Sequence, residues 1–337
     1  MAEIVRSEGG RVTFERFMEL ALYHPVHGYY TSHVSTIGRS GDFSTATTIG
    51  DALLRSLVAW LKAEVKHLSM PIVQVIELGG GTGQLASGIL RSFMPWQRIR
   101  YQIVEVSTTL RSLQERELRR TGVQWKDSVQ AALAAAQGEA ILISNEFVDA
   151  FPCRRFEQGE RGWKEVNLAL EEDIWREEYS DFCAPPLSST FGLKHANGQR
   201  VETLQSYRNW LADLNRHFRR GTMLTIDYGG SPADIYYRRP GGTIRAYYRH
   251  QRLDGMGIYL RAGHQDLTAD VNFVDLQDWG EQLGFETVQL VSQADFIRKW
   301  AKPRSARRRL ADRYVVENSG MGDAFKVLQQ RKHLNTP

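Results

Sequence analysis

The stretch IVQVIELGGGTGQLASGI, residues 72–89, decides how the chain folds. Residues 72–78 are mostly aliphatic. So short a run fits a strand of a parallel sheet, covered on both faces. Gly79, Gly80, Gly81 and Gly83 follow at once. Residues 84–92 then read as a helix, with Leu85 and Ile89 one turn apart. Strand, glycine turn and helix is the setting in which a glycine-rich motif gains meaning. Glycine accepts positive φ and lets backbone approach a ligand closely. The first turn of the following helix offers free N–H groups.

The spacing is ExGxGxG, formed by Glu77, Gly79, Gly81 and Gly83. The last glycine comes one residue earlier than in the dinucleotide motif GxGxxG. A carboxylate at Glu77 would repel a pyrophosphate, yet it suits an ammonium group or water ordered near one. S-adenosyl-L-methionine has an amino-acid end and no phosphate. A second apolar strand over residues 101–106 carries Glu105 near its end. An acid there suits a ribose diol. The plain alternative is a turn that only packs strand on helix, with acids placed by chance. Two such features on consecutive strands argue against it.

With 337 residues, 42% of them hydrophobic, the chain has ample material for a core, in one large domain with insertions or in two. The net charge of +4 is a mild basic excess, mixed along most of the chain. The densest basic cluster is Lys302, Arg304, Arg307, Arg308 and Arg309, interrupted by Pro303. It reads as a solvated helix face rather than a nucleic-acid surface. Two cysteines, Cys153 and Cys183, do not make a disulfide framework, and a reducing compartment is expected. No histidine–cysteine cluster has metal-ligand spacing. The N-terminus lacks the apolar core of a signal peptide, and Glu3 and Glu8 argue against a transit peptide. No apolar run approaches the length of a membrane span. A soluble cytoplasmic protein is expected.

Along the chain, residues 14–23 read as an amphipathic helix capped by Thr13, broken by Pro25 and Gly28. A polar stretch, residues 31–48, contains IGRSGDFST and reads as a lid or an exposed connection. Residues 52–65 are a helix leading into the glycine strand. Residues 108–120 are a charged helix packing through Leu110, Leu113 and Leu118. A third strand should end near residues 125–128, where an adenine would be faced, so Asp127 and Ser128 are candidates. A surface loop explains them equally well. Residues 140–144 form a buried strand that runs into NEFVDAFP, residues 145–152. In an open α/β sheet, ligands sit beyond the carboxyl ends of the strands. Asn145, Glu146 and Asp149 therefore converge on the same crevice as the glycine motif.

Residues 156–220 are expected to be an insertion or cap, with a hairpin around Gly159 and Gly162 and a helix over 202–218. Residues 221–228 return to the sheet and end near Asp227. Residues 231–267 show no period and read as a long functional loop. Helices are expected at 276–283 and 294–300, and strands at 286–291 and 324–329. Residues 1–70 form an N-terminal helix and lid-like loop on the core, and residues 71–337 the core itself.

The chain resembles the MidA-like methyltransferase family, whose mitochondrial members assist assembly of respiratory complex I. The residues behind the resemblance are ALYHPVHGYY (21–30), IGRSGDFST (37–45), ELGGGTG (77–83), NEFVDAFPCRRF (145–156), IDYG (226–229), GTIRAYYRH (242–250) and DLTADVNF (266–273). It implies a Rossmann-like fold that uses S-adenosyl-L-methionine, and a protein arginine as methyl acceptor. The chain departs from the family in three places: Thr47 and Thr48 stand where it has Pro-Glu, Asp270 where it has histidine, and the glycine turn reads GGGTG where it often reads GPGRG, a change that backbone cradling should survive.

Methyl transfer from a sulfonium is an in-line displacement, so the protein mainly positions its reactants. A guanidinium stays protonated in water, and carboxylates hold it bidentately. The expected division gives Glu77, Gly79, Gly81, Gly83 and Glu105 to the cofactor, with Asp127, Ser128 and Asn145 as further contacts. Glu146 and Asp149 face the acceptor, with Asp42 from the front loop. Two other readings compete: a methyltransferase with another acceptor, and a non-catalytic assembly factor that binds the cofactor or only a client.

Overall fold

The computed structural model describes residues 2–33, 51–69, 72–94, 99–172, 174–301 and 321–334. The expected front loop with Asp42, and the basic cluster from Lys302 onward, lie outside the described residues. The central sheet contains β1 (Val73–Leu78), β2 (Ile99–Val104), β3 (Gln124–Lys126), β4 (Glu139–Asn145), β5 (Arg220–Gly230), β6 (Glu286–Ser292) and β7 (Phe325–Lys332). They lie in the order β6-β7-β5-β4-β1-β2-β3. Neighbours are parallel except around β7, which runs antiparallel to both β5 and β6. This is the α/β, Rossmann-like architecture expected from the glycine strand.

The longer helices among the described residues are α1 (Phe14–Tyr23), α2 (Asp51–Leu68), α3 (Gln84–Arg91), α4 (Thr108–Glu117), α5 (Val129–Ala135), α6 (Gln205–His217), α7 (Phe273–Gln282) and α8 (Gln293–Trp300). The strands are apolar on both faces because both are covered. Val75, Ile141, Ile143, Leu224 and Ile226 pack on one side against Leu57, Trp60, Ile89 and Phe296. Ile76, Leu78, Leu142 and Met223 point the other way, into a cluster with Leu133, Leu211, Leu214 and Leu276. Each fully buried large side chain stabilises the fold by roughly 1.5–3 kcal/mol. Thr13 caps α1, accepting from the backbone N–H of Arg16, as its position before an apolar repeat implied.

The insertion carries its own antiparallel sheet. Arg154–Gly159 and Gly162–Glu171 form the expected hairpin, Ile174–Cys183 pairs with its second strand, and Arg200–Thr203 with its first. Arg11–Thr13 adds to Gly162–Glu171 in the register Val12 to Leu168, so the N-terminal segment is built into the insertion. Two readings change here. The helix expected from residue 202 starts at Gln205, because Arg200–Thr203 is a strand. Glu202 is buried there and accepts from the Thr243 backbone N–H and hydroxyl, both at 2.9 Å. The long loop expected over 231–267 instead holds a three-stranded sheet of Arg245–Tyr248, Gln251–Leu253 and Asp266–Thr268. Those strands are too short to show a period.

Candidate functional site

β1 has β2 on one side and β4 on the other, so the strand order reverses between them. Such a switch point opens a crevice beyond the carboxyl ends of the strands. One bank of it comes from β1, β2 and α4. Gly79, Gly81 and Gly83 all have positive φ, at 68°, 52° and 83°. A Cβ on Gly81 would meet nothing within 4 Å, so the turn faces open space there. Gly83 is the N-cap of α3 and supplies no side-chain cap, which leaves the first turn open to a ligand.

Glu77 is buried at the end of β1 and accepts a hydrogen bond from the Tyr101 hydroxyl at 2.8 Å. Burial pushes its carboxyl up to about 8; Tyr101 opposes the shift and Glu105 adds to it. Glu105 is also buried and accepts from the Ser107 N–H and from the Gln114 amide, both at 2.9 Å. Burial raises its pKa, and these donors hold it down in part. Gln114, fully buried on α4, ties the bank together. It donates to the Gly81 carbonyl at 2.9 Å and accepts from the Trp125 indole at 2.8 Å.

The opposite bank comes from the turn after β4. Asn145 ends β4 and donates to Glu146 at 3.3 Å. Glu146 has φ of 50°, a left-handed conformation without glycine. Such a residue costs about 1–3 kcal/mol and collects at functional sites. The turn is held from below by Asp227 of β5, which accepts from the backbone N–H groups of Phe147, Val148 and Asp149 at 3.1, 2.9 and 3.2 Å. Burial and the charge of Asp149 push the Asp227 carboxyl upward, and the N–H donors of Val148 and Asp149 oppose them. Asp149 is buried and accepts from the Tyr228 hydroxyl. Burial lifts its pKa to about 6, against Tyr228 and Arg245, which hold it down. Arg245 lies over the Tyr228 ring at 4.6 Å and pairs with Asp270. Asp270, the departure from the family's histidine, pairs with Arg239 as well.

Two nominated residues stand apart. Asp127 is 94% exposed and pairs with Arg111 at 3.1 Å. Ser128 spends its hydroxyl capping α5, accepting from Ala131. Sequence reasoning passed over Gln114, Asp227, Tyr228, Tyr30 and Asp266. The last four lie inside the motifs that carried the resemblance, which was the available signal. Gln114 had none.

Comparison with known proteins gives the same picture. A family model described as "Putative S-adenosyl-L-methionine-dependent methyltransferase" matches residues 56–291. Protein arginine methyltransferase NDUFAF7, mitochondrial, of Mus musculus is 27% identical over 297 residues, covering 78% of this chain and 65% of the relative. The Danio rerio protein of the same name is 28% identical over 298 residues, covering 78% of this chain and 67% of the relative. The chain thus spans about two thirds of the length of these relatives. A crystal structure from Burkholderia thailandensis bound to S-adenosyl-homocysteine superposes with a TM-score of 0.85 at 25% identity, over 99% of this chain and 91% of that one. The expected cytoplasmic location is overturned by these relatives, which are named as mitochondrial proteins. Among the described residues no helix is long and apolar enough to cross a membrane.

Proposed function

The chain belongs to the S-adenosyl-L-methionine-dependent methyltransferase family, and from that premise we propose that it methylates an arginine side chain of a protein. The cofactor is S-adenosyl-L-methionine, which supplies an electrophilic methyl group on a sulfonium. The residues present fit it. The turn at Gly81 leaves room for a ligand, Glu77 suits its ammonium, and Glu105 suits its ribose hydroxyls. Asn145 is placed beside them at the end of β4.

The observation that carries the arginine reading is the buried Asp149 carboxylate in the turn after β4, at the carboxyl ends of the strands. A guanidinium is a planar cation, and a desolvated carboxylate is its natural partner. Glu146 and Asp149 hold the acceptor and offset the charge that builds on it. The nitrogen that gains the methyl gives up one proton. Asp149, with its pKa raised to about 6, is matched to receive it near neutral pH. The names of the relatives support the same acceptor.

The test is transfer of labelled methyl from S-adenosyl-L-methionine into cell-extract protein, followed by hydrolysis and amino-acid analysis. Label in methylarginine is expected. Label only in other residues or in small molecules would overturn the arginine acceptor. Absence of transfer despite tight cofactor binding would favour an assembly factor without catalysis.

A further inference from the structure

Asp266 opens the strand Asp266–Thr268, far in sequence from the turn after β4, yet it belongs to the same cluster of acids. Its side chain is fully buried. One oxygen, Oδ1, accepts from the Tyr30 hydroxyl at 2.9 Å. The other, Oδ2, is buried with no hydrogen-bond partner. Buried carboxylate oxygens without a donor are rare and call for an explanation. The strand is tied to the acceptor turn, since the Ala269 N–H donates to the Asp149 carbonyl at 3.0 Å. After burial, the charge of Asp149 does most to push the Asp266 carboxyl up. Arg245 offsets part of this at a distance, but its guanidinium is engaged by Asp270 and the Thr243 carbonyl.

Aromatic rings complete the surroundings. Tyr23 and Tyr30 stack with centroids 5.7 Å apart. The Tyr23 hydroxyl donates to the Ala150 carbonyl at 2.9 Å. Both tyrosines feel the charges of Asp149 and Asp266, and Tyr23 feels Glu105 as well. The pair therefore lies close to the two aspartates, with Tyr23 also within reach of Glu105. Two carboxylates beside stacked aromatic rings suit a planar delocalised cation.

We propose that Asp266 is an acceptor-binding residue, pairing with Asp149 to hold the substrate guanidinium through its unpartnered oxygen. The inference rests on the arginine reading above and adds a residue that reading did not contain. Asp149 and Asp266 clamp the guanidinium, with Glu146 beside them on the acceptor side.

The experiment uses the full chain loaded with S-adenosyl-homocysteine and the probe acetyl-Gly-Arg-Gly-amide, with binding read by saturation-transfer NMR. Wild-type protein should bind this probe at least tenfold more tightly than its citrulline counterpart, which is neutral and nearly isosteric. Asp266→Asn should lose at least tenfold in affinity for the arginine probe, while calorimetry shows S-adenosyl-homocysteine binding within twofold of wild type. Equal arginine binding by Asp266→Asn and wild type would overturn the role of Asp266 and leave the arginine acceptor standing. Equal binding of citrulline and arginine probes by the wild type, a measurement independent of whether the variant folds, would overturn the clamp outright. A wild type that binds neither probe, and puts no label into methylarginine, would remove the arginine acceptor and this inference together.

Discussion

The hydroxyl of Tyr228 donates to the carboxylate of Asp149, joining β5 to the turn that follows β4. Tyr228 also lies under the guanidinium of Arg245. One ring thus steadies the Asp149 carboxylate and the cation that moderates it. Asp149 has a pKa near 6 because burial outweighs these two influences.

Tyr228→Phe removes the donor and keeps the ring. The ionised form of Asp149 loses support, so its pKa should rise above about 6. Methyl transfer that needs the carboxylate should then begin its rise at higher pH. At neutral pH kcat/KM should fall about 2- to 15-fold, because losing a hydrogen bond to a charged group shifts the pKa by about one to two units and leaves less of Asp149 ionised. A pH–rate profile checks this, and an unmoved acidic limb would separate Asp149 from the proton step.

Glu105→Ala should weaken S-adenosyl-homocysteine binding by about 10- to 100-fold, since a carboxylate bridging two ribose hydroxyls forms charge-assisted bonds. Calorimetry gives the answer directly. Normal affinity in the variant would mean that the ribose lies elsewhere.

Gln114→Leu should destabilise the protein by about 2–4 kcal/mol, because the Gly81 carbonyl, Glu105 and Trp125 each lose a buried partner. Cofactor affinity should fall with it, as the glycine turn and Glu105 share this one amide. Thermal unfolding with and without S-adenosyl-homocysteine tests both parts. A variant as stable as wild type would show that water replaces the amide at no cost.

Glu77 gives the fold a pH dependence of definite sign. Burial raises its pKa from 4.5 to about 8, so the folded state holds the proton more tightly than the unfolded chain. Its contribution to stability is complete below about 4.5 and is lost as pH rises through about 8. The melting temperature of the free protein should therefore fall more between pH 5 and pH 8.5 in wild type than in Glu77→Gln. Cofactor binding should reverse the preference, since an ammonium favours the ionised carboxyl. At pH 7, calorimetry in buffers of different ionisation heat should show proton release that the variant lacks.

The sheet was legible because its strands are buried on both faces. Continuous aliphatic runs such as residues 140–144 need no partner to be recognised. Ile174–Cys183 escaped notice for the opposite reason. It pairs along one strand only, Ile174 and Phe182 are exposed, and Glu177 is tied up with Arg200. No apolar alternation marks such a strand. The acids Glu77, Glu105, Glu146 and Asp149 were legible as candidates because each lies at or just beyond the end of a strand. Gln114 was not, since a glutamine on a charged helix reads as surface until Trp125 and the glycine turn are folded around it. Asp127 shows the limit in the other direction: its place at the end of a strand nominated it for an adenine, and it pairs with Arg111 and faces solvent. Tyr30 and Asp266 meet at 2.9 Å from opposite parts of the chain. No periodicity reports a contact of that kind.

Arg11–Thr13 takes its hydrogen bonds from Gly162–Glu171, with Arg11 opposite Ala169. On the ribosome, this strand must wait until Gly162–Glu171 has emerged before it finds its neighbour. Pairings so distant in sequence form late and slowly. During that delay the apolar face of α1, with Phe14, Phe17 and Met18, has no native cover. The nascent chain is therefore open at this end to chaperones and to off-pathway association, and shortening it here would expose a sheet edge in the finished protein.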